Sequence, residues 1–268
     1  MVQQKGKRPR KNSPTGNHPV NWLWGQRSVF EMLEANRWRT YELYVTAEMF
    51  LKYKDVLQAK KNAGAELEIV VSTRLEELVG TAQHEGVIAR VSKYPYAAED
   101  SFIDQLRIDI ETSRHSKLKP LVVVIDRIQD NFHFASILRS CGIAAVSGVI
   151  VGKYCQAQVT PQISRLCSGA VNHFPIVQSE NLADTVRKVK ELGLRLFASG
   201  DKPTQNVVDA SLEMPLALLV GSETQSLDGG LAQICDQHIS IPCFGKTGSS
   251  DPAVTAGILL FEIRRHAG

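Results

Sequence analysis

The chain has 268 residues, 43% of them hydrophobic and 22% charged, with a formal net charge of +3. That length supports one large domain or two modest ones with separate cores, and the composition excludes a disordered or fibrous chain. No apolar run is long enough to span a bilayer, and the small positive charge is only a weak pointer to a polyanionic partner. Residues 1–20 read as a basic flexible arm, with Lys5, Lys7, Arg8, Arg10 and Lys11 ahead of Pro14, Gly16 and Pro19. Such an arm is either a solvated tail or a nonspecific attraction for phosphates that salt screens. The five cysteines (Cys141, Cys155, Cys167, Cys235 and Cys243) are odd in number and lack C-x-x-C spacing. They suggest neither a disulfide framework nor a zinc site, so no metal is expected. The basic start is not followed by the apolar stretch of a signal peptide, which points to a cytoplasmic chain with reduced thiols.

Residues 21–96 read as a small α/β domain. Val29, Met32 and Leu33 lie on one face of a helix that starts after Gly25. Residues 41–45 alternate like a strand, 48–63 read as one helix ending at Gly64, and 66–71 form a second strand. Thr73 and Glu76 have the spacing of a capping box ahead of a short helix, and Gly86–Val91 is a third strand. Residues 97–117 read as a polar linker with some helical character around Phe102, Ile103 and Leu106.

From residue 118 to 268 the pattern changes. Leu121–Ile125 is a continuous β-branched run, as expected for a strand buried on both faces. Similar runs lie at 149–151, 194–198, 216–220 and 238–241, with helical stretches such as 181–192 between them. Alternation of this kind predicts a parallel sheet covered on both sides, whose ligands bind beyond the strands' C-terminal ends.

Three loops at such ends carry polar residues. The loop after 121–125 holds Asp126, Asp130, His133 and Arg139, with Ile137, Leu138 and Cys141 on the buried side of the next helix. An ion pair with a nearby carboxylate is the ordinary role for an arginine like Arg139, and an isolated histidine is more often structural than catalytic. The loop after 216–220 holds Gly221, Ser222 and Glu223, where Ser222 could equally cap a helix. The loop after 238–241 holds Pro242, Gly245, Gly248, Ser249 and Ser250. It ends at Asp251-Pro252, which reads as a helix cap and first helical residue. Val254, Ile258 and Phe261 give that last helix one apolar face.

Each signal alone is modest; their order is specific. A D-x-x-x-D…R loop, a strand ending in G-S-E, and I-P-x-x-G-x-x-x-S before a C-terminal helix resemble the three motifs of the SpoU/TrmH family of RNA methyltransferases, within the SPOUT superfamily. Asp126, Asp130 and Arg139 match the first motif. Gly221, Ser222, Glu223 and Leu227 match the second, and Ile241, Pro242, Gly245 and Ser249 the third. Ser168-Gly169-Ala170 matches a further segment. Gly25 through Leu33, together with His84–Ala89, are similar to the family's ribosomal-protein-type RNA-binding module.

The resemblance implies a parallel-sheet α/β domain tied in a C-terminal trefoil knot, preceded by the small RNA-binding α/β domain. It implies a homodimer that uses S-adenosylmethionine to methylate the ribose 2′-hydroxyl of rRNA or tRNA, although the wider superfamily also methylates bases. By position, Gly221, Ser222, Ile241, Gly245, Ser249 and Ser250 line the cofactor. Arg139 positions or activates the ribose hydroxyl and its phosphate, and Glu223 supports the site. His133 stands where the first motif has asparagine, either as a proton acceptor or merely filling that place. Asn131 and Ala135 replace the first motif's proline and glycine, Thr224 and Ser226 replace glycines of the second, and S-L-N-V of the third reads Ser249-Ser250-Asp251-Pro252. These departures fit a divergent enzyme. They also fit a noncatalytic RNA-binding protein on the same fold, such as a ribosome assembly factor.

Overall fold

The computed structural model describes residues 21–113, 118–199, 205–222, 227–245 and 251–267. The basic arm, Glu223, Thr224, Ser226, Gly248, Ser249 and Ser250 therefore lie outside the described residues. The chain divides into two compact units between Lys93 and Tyr94.

In the first unit, β1 (Asn21–Trp24), β2 (Thr40–Val45), β3 (Glu66–Ile69) and β4 (Val87–Val91) form one sheet in the order β1-β4-β2-β3. β4 is antiparallel to both β1 and β2, and β2 runs parallel to β3. Helix α1 (Gln26–Ala35) buries Val29, Met32 and Leu33 as its spacing requires. The helix expected over 48–63 is two: α2 (Ala47–Lys52) and α3 (Lys54–Asn62). Tyr53 breaks it with non-helical backbone, stacking on Phe30 at 3.6 Å between ring centroids while its hydroxyl accepts from Gln26 Nε2 at 2.6 Å. The Thr73 capping box does not form. α4 (Ser72–Val79) starts after Val71 with no side-chain cap, and Ser72 Oγ instead meets His84 Nε2 at 3.4 Å.

The His84-Glu85-Gly86 turn is a structural device. Glu85 Oε2 accepts from the first amide of α1, Gln26 N, at 2.7 Å, and His84 Nδ1 accepts from Gly86 N at 3.0 Å. Gly86 has φ +78°, and a Cβ there would stand 2.9 Å from both Met49 Cγ and Thr46 Oγ1. Only glycine fits this backbone without strain.

In the second unit, residues expected as a linker carry α5 (Glu99–Thr112). Its Phe102, Ile103 and Leu106 are buried in the same core as Val122 and Val177, so the stretch belongs to this unit. The remaining elements are β5 (Leu121–Ile125), α6 (Asn131–Ile143), β6 (Gly148–Gly152), α7 (Pro161–Leu166), β7 (Ile176–Ser179), α8 (Leu182–Glu191), β8 (Arg195–Ser199), β9 (Gln205–Asn206), β10 (Leu216–Val220), α9 (Gly229–Ile234), β11 (Gln237–Ser240) and α10 (Pro252–Ala267). Among the described residues the sheet has seven strands in the order β7-β6-β5-β10-β8-β11-β9, every pair parallel.

β5 and β10 are adjacent and every one of their residues is buried. From β5 the chain moves outward to β6 and β7; from β10 it moves the other way, to β11. The loops after β5 and β10 therefore open where the strand order reverses, the place where α/β sheets bind ligands. Among the described residues, no helix is long and apolar enough to cross a membrane.

Candidate functional site

Asp126 leaves the end of β5 almost fully buried, at 6% exposure. Its amide donates to Val220 O at 2.9 Å, and its Oδ2 accepts from Asp228 N at 2.8 Å and from Arg127 Nε at 3.1 Å. A buried carboxylate with charge-assisted partners is satisfied, where an unpaired one would be costly. Asp126 thus fastens the loop after β5 to the loop after β10. Asp228, rather than Ser222, caps the helix that follows β10, accepting from Gly230 N at 2.9 Å. Gln156 holds the other side of the first loop, its Oε1 accepting from Ile128 N at 2.9 Å.

Asp130 caps α6: Oδ1 accepts from Phe132 N and His133 N, each at 2.8 Å. His133 is therefore fixed in the first turn of α6. Its Nε2 lies 3.1 Å from Asp251 Oδ2. Asp251 caps α10 with its other oxygen, accepting from Ala253 N at 2.7 Å and Val254 N at 3.3 Å. The capping expected for Asp251 is present, and its contact with His133, 118 residues away in sequence, is an addition that capping logic does not reveal.

α6 and α10 pack side by side. Arg264 of α10 donates to Ala144 O at 2.7 Å, Lys119 O at 3.0 Å and Ala145 O at 2.8 Å, while Ala256, Leu259, Leu260 and Ile263 are buried. The apolar face read at Val254, Ile258 and Phe261 points outward, at 54%, 42% and 68% exposure. On α6, Phe132, Ser136, Arg139 and Ile143 recur at helical spacing, and all four are exposed. Arg139 thus projects from the outer face of α6, with no carboxylate paired to it among the described residues.

Gly221 and Ser222 are half-buried at the end of β10, as is Ile241 just after β11, and Gly245 is exposed. Gly221 and Ser222 carry little or no side chain, so their size does not bar a ligand from approaching the backbone there. The structure brings together the loops of Asp126 and Gly221 and pairs His133 with Asp251. Asp251 reads in the sequence both as a helix cap and as the third motif's asparagine position, whereas Asp228 was missed as a site-building residue. Burial pushes the Cys141 and Cys167 thiols up and that of Cys235 to about 12, so none of these three supplies a thiolate nucleophile near neutral pH.

Comparison with known proteins adds to this geometry. Residues 120–261 match the model of the SpoU rRNA Methylase family, and residues 22–97 match one described as RNA 2′-O ribose methyltransferase substrate binding. The chain is similar to the 23S rRNA (guanosine-2′-O-)-methyltransferase RlmB of Vibrio parahaemolyticus, at 28% identity over 91% of this chain and 96% of that one. It is similar at 28% identity to YacO of Bacillus subtilis, named for the TrmH family of tRNA/rRNA methyltransferases, over 91% of this chain and 95% of that one. Its fold is similar to the SpoU methyltransferase AviRb of Streptomyces viridochromogenes in complex with AdoMet. That likeness has a TM-score of 0.72 at 22% identity, over 92% of this chain and 90% of that one.

Proposed function

The chain belongs to the SpoU rRNA methylase family, and on that premise we propose that it transfers a methyl group from S-adenosylmethionine to a ribose 2′-hydroxyl of ribosomal or transfer RNA. The observation that carries this reading is the fastening of the first and second motif loops by Asp126 and Asp228 at the strand-order reversal of a parallel sheet. The third motif opens from the same end of that sheet, after β11.

The residues present fit the cofactor. Gly221 and Ser222 are small and half-buried, as is the larger Ile241, and with Gly245, Ser249 and Ser250 they form its binding segment within a knotted C-terminal region. When bound, S-adenosylmethionine supplies an activated methyl group, so the protein's work is alignment and exclusion of water. Arg139 holds the RNA phosphate and orients the hydroxyl, a task suited to a planar guanidinium. Glu223 supports that arrangement, and His133 stands beside the reacting centre.

The exposed apolar stripe of Val254, Ile258 and Phe261, with Phe132 and Ile143 on the neighbouring helix, supports a homodimer through α6 and α10. Arg139 lies between Phe132 and Ile143 on that face, which puts the site beside the subunit boundary. The first unit binds structured RNA, the basic arm adds phosphate attraction, and the protein acts in the cytoplasm.

Calorimetric titration with S-adenosylmethionine tests the proposal. Wild type and Arg139→Ala are expected to bind the cofactor alike, while transfer to RNA falls about 100-fold or more in the variant. A folded wild-type protein that binds no S-adenosylmethionine would overturn the enzyme reading and leave a noncatalytic RNA-binding protein.

A further inference from the structure

We infer that Tyr154, with Lys153 beside it, is a stacking platform for an unpaired RNA base next to the nucleotide that is methylated. The platform rests on the methyltransferase reading and adds to it a residue that holds the flanking strand.

Strand register places it. β5 and β6 pair in parallel with Ile125 opposite Val151, and β6 and β7 with Gly152 opposite Ser179. Asp126, Lys153 and Glu180 therefore leave three neighbouring strands at the same end of the sheet, each one strand spacing, about 5 Å, from the next. The loop after β6 is also fastened to the first-motif loop. Ile128 N donates to Gln156 Oε1 and Ala157 N to Ile128 O, each at 2.9 Å. The rest of the loop is held by Lys153 N on Ser179 O at 2.9 Å, Gln158 Nε2 on Gln156 O at 2.9 Å and Val159 N on the Tyr96 hydroxyl at 2.8 Å. Both loops contain a non-glycine residue with left-handed backbone, Arg127 at φ +57° and Cys155 at φ +53°. Strain of this kind persists where surrounding contacts enforce it, and it gathers at ligand-binding loops.

On this pinned loop Tyr154 is 65% exposed. Its hydroxyl donates to Glu180 Oε2 at 3.0 Å. Lys153 Nζ lies 5.7 Å from the ring centroid and pairs with Glu180 as well. These contacts direct the ring without burying it. An exposed ion pair contributes little stability, so a structural role leaves the outward aromatic surface unexplained. A base does explain it. Every base has a π-face, and an unpaired base splayed out beside a target nucleotide stacks on an aromatic side chain held ready for it. Glu180 balances the charge of Lys153, so the cluster offers stacking area rather than attraction for phosphate.

The test uses total RNA from cells lacking the protein, in equilibrium binding and in methyl transfer. Tyr154→Ala should weaken binding and raise KM about 5- to 150-fold, with kcat near wild type. Tyr154→Phe and Tyr154→Trp should stay near wild type, because each keeps an aromatic face. The Tyr154→Ala defect should be the same at low and high salt, since no charge is removed. S-adenosylmethionine affinity, melting temperature and sedimentation should match wild type. An equal loss in Tyr154→Phe would assign the effect to the hydrogen bond with Glu180. No loss in Tyr154→Ala would remove the platform, and a loss that accompanies altered sedimentation would make Tyr154 a subunit contact. Each of these outcomes overturns the platform with the enzyme reading intact. A wild type that neither binds the cofactor nor methylates that RNA would fail the underlying reading instead.

Discussion

The two sheets of this chain treat their faces differently. In the second unit, β5 and β10 are buried along their whole length, and chemistry is confined to what emerges at their ends. In the first unit, β2 alternates, with Glu42 and Tyr44 half-buried beside buried Leu43 and Val45, and the edge strand β3 is largely exposed. A sheet covered on both faces can offer ligands only its loops. A sheet that is partly open can present side chains from its surface, as Glu42 does with Arg90.

Substitutions can break or sharpen that contrast. The largest effect is expected at Leu219, fully buried in β10. Leu219→Ala should cost about 2–5 kcal/mol in denaturant unfolding, while Ile69→Ala on half-exposed β3 should cost well under half of that. Equal losses would show that the two sheets are not packed differently. Next is Gly86→Ala in the first unit, where positive φ and the 2.9 Å approaches to Met49 and Thr46 should cost about 1–3 kcal/mol by the same measurement.

The smallest effect is electrostatic. Burial pushes the Asp236 carboxyl up, but the Leu196 amide at 2.8 Å and Lys190 at 2.7 Å outweigh it and hold the group below its usual range. A depressed carboxylate contributes stability above its unfolded pKa and loses it as pH falls through the folded value. Asp236→Asn should therefore lower stability at neutral pH and flatten its decline on acidification. An unchanged acid limb would show that Lys190 and the Leu196 amide do not stabilise the Asp236 carboxylate.

Legibility followed the strength of local signals. The run Leu121–Ile125 announced a buried strand because five consecutive apolar residues suit a doubly covered sheet. β7 is only four residues, two of them polar, and exists because β6 pairs with it. α5 was half-legible: its Phe102, Ile103 and Leu106 marked a helix face, but only packing made it part of the second unit. Tyr53 could not be read as a break, since its stacking on Phe30 is a tertiary contact that local sequence does not reveal.

At the candidate site, the order of the motif loops and the caps at Asp130 and Asp251 were set by the sequence, because a cap needs only its next few residues. Tertiary structure alone decided that Asp126 would reach Asp228 and that His133 would reach Asp251. It also decided that Val254, Ile258 and Phe261 would face outward while Leu259, Leu260 and Ile263 faced the core. Helical periodicity identifies apolar faces, but which of two such faces meets the core depends on which neighbour occupies it, and that neighbour comes from more than a hundred residues away.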